Sequence, residues 1–205
     1  MVKNSPTITP RFIEALTYAA TLHIKQVRKG TQIPYLAHLL AVTALVLESG
    51  GDEDEAIAAL LHDAVEDQGG LETLKIIQNR FGERIGSIVE SCSDAYTSPK
   101  PPWRKRKETY LAHLVEASPE VLRVSIADKL HNARSIRRDL QESGGVVFSK
   151  FKGGKTGTLW YYSSLVEVFT AKESNFLVEE FVKVVEDILT IVEDHEEEDY
   201  ERNYT

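Results

Sequence analysis

Apolar residues return every three to four positions along nearly the whole chain. Phe12, Ala15, Leu16 and Ala19 form one stripe, and Leu36, Leu39, Leu40, Thr43 and Leu47 form another. That period matches the 3.6-residue turn of an α-helix and not the two-residue alternation of a strand, so each segment can bury one face only by packing as a helix. The spacing predicts helices over 9–27, 35–49, 53–67, 71–80, 82–94, 103–116, 119–140, 158–172 and 174–196. Gly50-Gly51 and Gly69-Gly70 punctuate helix ends, and the three prolines of Ser98-Pro99-Lys100-Pro101-Pro102 remove donors and fix φ. The fold class expected is all-α, a bundle of about eight to nine helices. Only 141–157 looks different: it is glycine-rich and basic, and reads as a loop or a short hairpin. A length of 205 residues suits one domain. We expect it over 1–196, with the remainder of the run Glu193-Asp194-His195-Glu196-Glu197-Glu198-Asp199 continuing into an acidic tail at 197–205.

Several functions are disfavoured at once. No apolar run approaches the roughly 20 residues of a membrane span, and the N-terminus lacks the apolar core of an export signal, so a cytoplasmic location without membrane association is expected. The net charge of −8 disfavours a nucleic-acid backbone as partner, although a local basic cluster can still hold a small anionic molecule. Cys92, the single cysteine, has no Cys/His company and reads as a small buried hydrophobe. Gly154-Lys155-Thr156 lacks the leading glycine of a phosphate loop, since Ser149 stands at that position.

The chemistry concentrates elsewhere. His62 and Asp63 stand side by side after the apolar run Ala58-Ala59-Leu60-Leu61, and Glu66 and Asp67 follow one helical turn later. An imidazole and several carboxylates crowded into a region entering the core repel one another unless a cation neutralises them. His38, near the start of an apolar helix, and Asp128, within Val124-Ser125-Ile126-Ala127-Asp128-Lys129-Leu130, are polar residues in apolar runs for which the same question arises. Singly, each could be a satisfied core histidine or a paired aspartate; the combination points to a metal.

The order His38, His62-Asp63, Asp128 resembles the metal signature of the HD phosphohydrolase superfamily. Further blocks are similar to the hydrolase domain of RelA/SpoT-type alarmone enzymes: Arg28-Lys29-Gly30, Pro34-Tyr35, Leu61 to Asp67, Arg80-Phe81-Gly82, and Ala127-Asp128-Lys129-Leu130-His131-Asn132. The resemblance covers about 10–140 and implies an HD-domain helical bundle with His38, His62, Asp63 and Asp128 as ligands. It implies Mn²⁺ as the usual ion, though two imidazoles and two carboxylates suit other divalent transition metals too. It further implies removal of the 3′-pyrophosphate of guanosine 3′,5′-bis(diphosphate), with Glu66 and Asp67 orienting and deprotonating the water. The chain departs from the family's usual threonines at Ala64 and Gln68 and in the 141–157 loop, and the small stand-alone hydrolases are its nearest counterpart within that resemblance.

Arg28 and Lys29 suit a base and a phosphate, or simply the negative end of a helix dipole. Asn132, one turn after Asp128, shares its face and suits a substrate hydroxyl or phosphate. Trp103-Arg104-Lys105-Arg106-Lys107 could clamp a pyrophosphate, with Lys107 the preferred member, or be an exposed basic helix start. Tyr161, in Trp160-Tyr161-Tyr162, could contact the nucleotide or pack. His23, His113, His131 and His195 fit no ligand position. A nucleotide phosphomonoesterase acting on a substrate such as NADPH, and a non-catalytic nucleotide-binding HD module, are the alternative readings, and a homodimer is compatible with all of them.

Overall fold

The computed structural model describes residues 8–93 and 99–204, with side chains described as far as Glu197. Ten α-helical segments follow one another: α1 (Pro10–Leu22), α2 (Leu36–Glu48), α3 (Glu53–Leu61), α4 (Ala64–Asp67), α5 (Gly70–Phe81), α6 (Glu83–Cys92), α7 (Trp103–Val115), α8 (Pro119–Ser143), α9 (Gly154–Lys172) and α10 (Phe176–Tyr204). Among the described residues there is no strand beyond a single antiparallel bridge, Val27 to Pro34. The all-α expectation is met. No described helix is long and apolar enough to cross a membrane.

Three expected elements differ. The helix expected over 9–27 ends at Leu22, because the chain turns at Gly30 (φ 75°) and doubles back: Arg28 N–H donates to the Ile33 carbonyl at 2.8 Å and Tyr35 N–H to the Gln26 carbonyl at 2.9 Å. The helix expected over 53–67 breaks at His62-Asp63, leaving α4 as a four-residue turn. The loop or hairpin expected over 141–157 is helical instead. Here α8 runs on to Ser143, a 3₁₀ turn spans Gly144–Lys150, and α9 starts at Gly154. Gly144 and Gly154, with φ of 66° and 59°, supply the reversals, and Val147 and Phe148 give the turn an apolar anchor, both being buried. Helix α10 carries the acidic run on to Tyr204, and the 94 end of the expected 82–94 helix, like Ser98, lies outside the described residues.

The fold divides into two compact units, Met1–Asp128 and Lys129–Thr205, the boundary falling inside α8. In the first, α3 packs against α1, α2 and α6. A helix with neighbours all round must be apolar all round, and every residue from Ala56 to Leu61 is buried. Its start is fixed by a capping box: the Asp52 carboxylate accepts from Glu55 N–H at 3.0 Å and Glu55 returns the contact to Asp52 N–H at 2.7 Å. Glu55 can be buried because Arg123 Nε reaches its second oxygen at 2.8 Å, while Arg123 Nη1 donates to the Ser49 carbonyl at 2.7 Å. That double contact pins the first half of α8, which ends in Asp128, onto the α2–α3 corner. The corner is tight: a Cβ on Gly51 would lie 2.6 Å from Val46 Cγ1, 2.8 Å from the Val46 carbonyl oxygen and 3.1 Å from Arg123 Cδ.

In the second unit α9 and α10 pack with the 3₁₀ turn around Leu165, Phe169, Leu177 and Phe181, all fully buried. The Phe169 and Phe181 rings meet edge to face, 5.4 Å apart at 73°.

Because α3 is enclosed on every side, Leu60→Ala should leave a cavity its neighbours cannot fill. We expect a loss of about 2–5 kcal/mol in urea unfolding; a loss below about 1 kcal/mol would show that α3 is not the packed centre.

Candidate metal centre

Three helical elements of the first unit converge on one point. Tyr35 precedes α2 and His38 lies in its first turn; His62 and Asp63 form the break after α3; Asp128 comes from α8. His38, His62 and Asp128 are all buried, and each offers one ligand atom within 4.8 Å of the others. Asp63 completes the group from the open side. Nε2 of His38 lies 3.2 Å from Asp128 Oδ1 and 3.5 Å from Asp63 Oδ2, and Nε2 of His62 lies 3.0 Å from Asp63 Oδ2 and 3.6 Å from Asp128 Oδ1. Both imidazoles therefore turn the same nitrogen toward the same two carboxylates.

The tautomer of His62 favours an ion. Its Nδ1 sits 2.8 Å from the Ala59 carbonyl, which can only accept, so Nδ1 carries the proton and Nε2 is left with a lone pair. That Nε2 is buried and makes no hydrogen bond among the described residues. A buried lone pair beside two carboxylate oxygens fits a divalent cation. Without one, the pocket draws in a proton: burial pushes the His62 imidazole down, but Asp63 and Asp128 outweigh it and hold it well above its ordinary 6.5. Burial likewise pushes Asp63 up, and His62 and His38 outweigh that to hold it well below 3.8.

Tyr35 is a residue the sequence did not single out by role. Its hydroxyl donates to Asp63 Oδ2 at 2.5 Å. Burial and then the Asp63 charge raise its pKa so far that it stays a phenol and keeps donating. Its ring stacks on His23 (5.3 Å, 16°) and meets His38 edge-on (5.5 Å, 70°). His23, expected to be ordinary, is buried within this arrangement, with Nδ1 2.7 Å from Gln26 Oε1. The only advance signal was spacing: Tyr35 precedes His38, and His23 precedes Gln26, by three residues.

Beyond the break, Glu66 and Asp67 stand on α4. Glu66 pairs with Lys100 at 2.8 Å, and Asp67 accepts from Gln26 Nε2 at 2.8 Å. Partial burial and the nearby Asp63 raise the Asp67 carboxyl above its ordinary 3.8, against the opposing pull of Gln26, His23 and Lys100. Arg28, in the turn after α1, places its guanidinium carbon 5.8 Å from the centre of the Tyr35 ring, and Lys29 is exposed beside it. The basic start of α7 is not simply an exposed run: Arg106 is buried with Nε on the Pro101 carbonyl at 3.2 Å, Arg104 pairs with Glu108, and Lys107 is half-buried. Arg80, in a block that resembled the alarmone hydrolases, has a packing role, lying 4.4 Å from the Tyr18 ring centre and 2.9 Å from Glu14. Asn132 and Tyr161 belong to the second unit, Asn132 half-buried on α8 and Tyr161 buried on α9.

An all-helical chain that buries two histidines and an aspartate around one point belongs to the class of helical proteins built to hold a divalent metal ion between helices. The chain is a member of the HD domain family, whose model matches residues 15–159. It is 38% identical over 129 residues to the guanosine-3′,5′-bis(diphosphate) 3′-pyrophosphohydrolase MESH1 of Xenopus tropicalis, covering 62% of this chain and 69% of that one. To the human MESH1 protein it is 34% identical over 131 residues, 62% and 70% of the two chains. A solved structure described as a metazoan SpoT orthologue that hydrolyses ppGpp shares the fold, with a TM-score of 0.71 at 24% identity over 87% of this chain and 95% of that one.

Two outcomes follow from the geometry. In metal-free protein the raised His62 contributes stability that is present below 6.5 and is lost as pH rises through its folded-state value, whereas Asp63 loses its contribution only in acid. A bound ion has to replace the His62 proton. The gap in thermal midpoint between metal-loaded and chelator-treated protein should therefore widen as pH rises above 6.5; a gap independent of pH would contradict this proton balance. Tyr35→Phe keeps the ring but frees Asp63, and should weaken metal binding about 10- to 100-fold by titration calorimetry, with unchanged affinity as the contrary result.

Proposed function

We propose that this chain is a metal-dependent guanosine 3′,5′-bis(diphosphate) 3′-pyrophosphohydrolase. The observation that carries the reading is the convergence of both His Nε2 atoms on Asp63 and Asp128, with Glu66 and Asp67 one turn beyond, in a chain similar along most of its length to enzymes of that name. His38, His62, Asp63 and Asp128 are the ligands we assign, and Mn²⁺ the ion. Bound there, the ion supplies Lewis-acid polarisation of a phosphoryl oxygen and eases deprotonation of water.

The chain's own groups do the rest. Asp67, with its carboxyl raised above its ordinary 3.8 by partial burial and the Asp63 charge, accepts a proton from water more effectively than an ordinary carboxylate would, and Glu66 shares in orienting that water. The water oxygen bonds to the phosphorus attached at the ribose 3′ position, the bond from that phosphorus to the 3′-oxygen breaks, and the 3′-oxygen leaves with a proton as pyrophosphate departs. Arg28, already beside an aromatic ring, suits stacking on the base, and Lys29 and Lys107 supply phosphate-binding charge. Asn132 and Tyr161 complete the assigned substrate contacts. Because the family match runs across both units, we assign 1–196 to one hydrolase domain followed by the acidic 197–205 segment. The same reading takes the enzyme as cytoplasmic and allows a homodimer.

Incubating Mn²⁺-loaded protein with guanosine 3′,5′-bis(diphosphate) should yield pyrophosphate and GDP. Faster orthophosphate release from NADPH would replace this reading with a phosphomonoesterase. Asp63→Ala should abolish metal-dependent turnover, while Glu66→Gln and Asp67→Asn should lower kcat about 10²- to 10⁴-fold with the metal still bound. Unchanged turnover in Asp63→Ala would point to a non-catalytic binding module.

A further inference from the structure

The proposed proton acceptor sits on weak support. Asp67 is the last residue of a four-residue helix that runs out at Gln68 and reverses at Gly69, where φ is 122°. So short a helix does little to fix a side chain at its end. The support comes instead from the loop after α1. Gln26 is fixed there by its own backbone, whose N–H donates to the His23 carbonyl at 2.9 Å and whose carbonyl accepts from Tyr35 N–H at 2.9 Å. Its side-chain amide faces three partners: Asp67 Oδ2 at 2.8 Å on one side, Gln68 Nε2 at 2.5 Å and His23 Nδ1 at 2.7 Å on the other.

Chemistry sets the direction of this chain. An ionised carboxylate can only accept, so the atom turned to Asp67 is the amide NH₂, and the carbonyl oxygen is turned to His23 and Gln68. Both of those groups then donate to it. The Nδ1–H of His23 serves as one of these donors, and its other ring nitrogen, Nε2, is buried and makes no hydrogen bond among the described residues. Two donors on the oxygen prevent the amide from flipping, and a flip would set oxygen against oxygen at Asp67. The His23 ring stacks in turn on Tyr35, whose hydroxyl holds Asp63. A single loop therefore orients the carboxylate proposed to hold the metal and the carboxylate proposed to take the proton.

We propose that Gln26, clamped by His23 and Gln68, is a positioning residue that holds the Asp67 carboxylate in the orientation required to accept a proton from the attacking water. The assignment rests on the reading of Asp67 given above. It differs in kind from substrate or metal binding, since Gln26 acts through Asp67.

A double-mutant cycle on the Mn²⁺-loaded full chain tests it. Gln26→Leu should lower kcat on guanosine 3′,5′-bis(diphosphate) about 10-fold, while KM and Mn²⁺ affinity by calorimetry change less than about 2-fold. In an Asp67→Asn background, measured under single-turnover conditions, the same substitution should have almost no effect, because the group it positions is gone. Gln68→Ala, which removes one donor to the Gln26 oxygen at a half-buried position, should give a smaller kcat loss of about 3-fold with the same unchanged Mn²⁺ affinity, and it serves if Gln26→Leu does not fold. A Gln26→Leu loss that persists in full in Asp67→Asn, or that falls equally on Mn²⁺ affinity, overturns the proposal, as does normal kcat in both Gln26→Leu and Gln68→Ala. If Asp67→Asn itself turns over normally, the failure lies with the assignment of Asp67, and Gln26 then has nothing to position.

Discussion

Everything in the first unit answers one electrostatic problem: two imidazoles and two carboxylates share a pocket from which water is largely removed. Burying one such group without a partner costs several kcal/mol, and four together are tolerable only if their charges cancel. With no ion, a proton on His62 does part of this, held there by Asp63 and Asp128. A divalent cation does it better, since both Nε2 atoms and both carboxylates already point inward. The side chains are oriented from behind, His62 by the Ala59 carbonyl and Asp63 by the Tyr35 hydroxyl.

Holding four side chains from three places in the sequence requires those places to be held first. Helix α3 provides the reference by being enclosed, and its capping box leaves Glu55 free to engage Arg123. Through Arg123, five residues before Asp128, α8 is tied to Ser49 at the end of α2 opposite His38, so the elements that carry His38 and Asp128 share one anchor. Gly51 belongs to the same device, since any side chain there would push the corner open against Val46. Local capping chemistry is in this way converted into the placement of Asp128, a proposed ligand more than seventy residues away in sequence.

The parts legible in the sequence are those in which one residue contradicts its own surroundings. His38 and Asp128 stand out because a polar side chain in an apolar helical stripe has to be explained, and His62-Asp63 because two such residues adjoin. Helix periodicity gave the class of fold for the same reason, being a property of each segment alone. What escaped depends on segments far apart. The break at His62-Asp63 carries neither glycine nor proline, and the 3₁₀ turn at Gly144–Lys150 looked like a loop because glycines that start helices resemble glycines that prevent them. Tyr35, His23 and Gln26 are ordinary residues of a turn until that turn is laid against α4, and no local pattern records the approach.

The contrast between the proposed ligands and the proposed proton acceptor has a physical logic. Ligand geometry tolerates little error, and His38, His62 and Asp128 are buried among closely packed helices. A group that accepts a proton and then releases it must change its charge during the cycle, and in a sealed pocket each change would carry a large desolvation cost. Asp67 avoids this by standing on a short turn whose side chain reaches solvent. Exposure, however, gives up orientation, because water offers no fixed direction. A neutral amide restores it without adding another fixed charge beside Asp63: Gln26 constrains where the carboxylate points and leaves the solvent side open. A lysine at that place would orient Asp67 as well but would pull its carboxyl down, making it a poorer proton acceptor. An amide is the side chain that can direct a carboxylate while disturbing its basicity least.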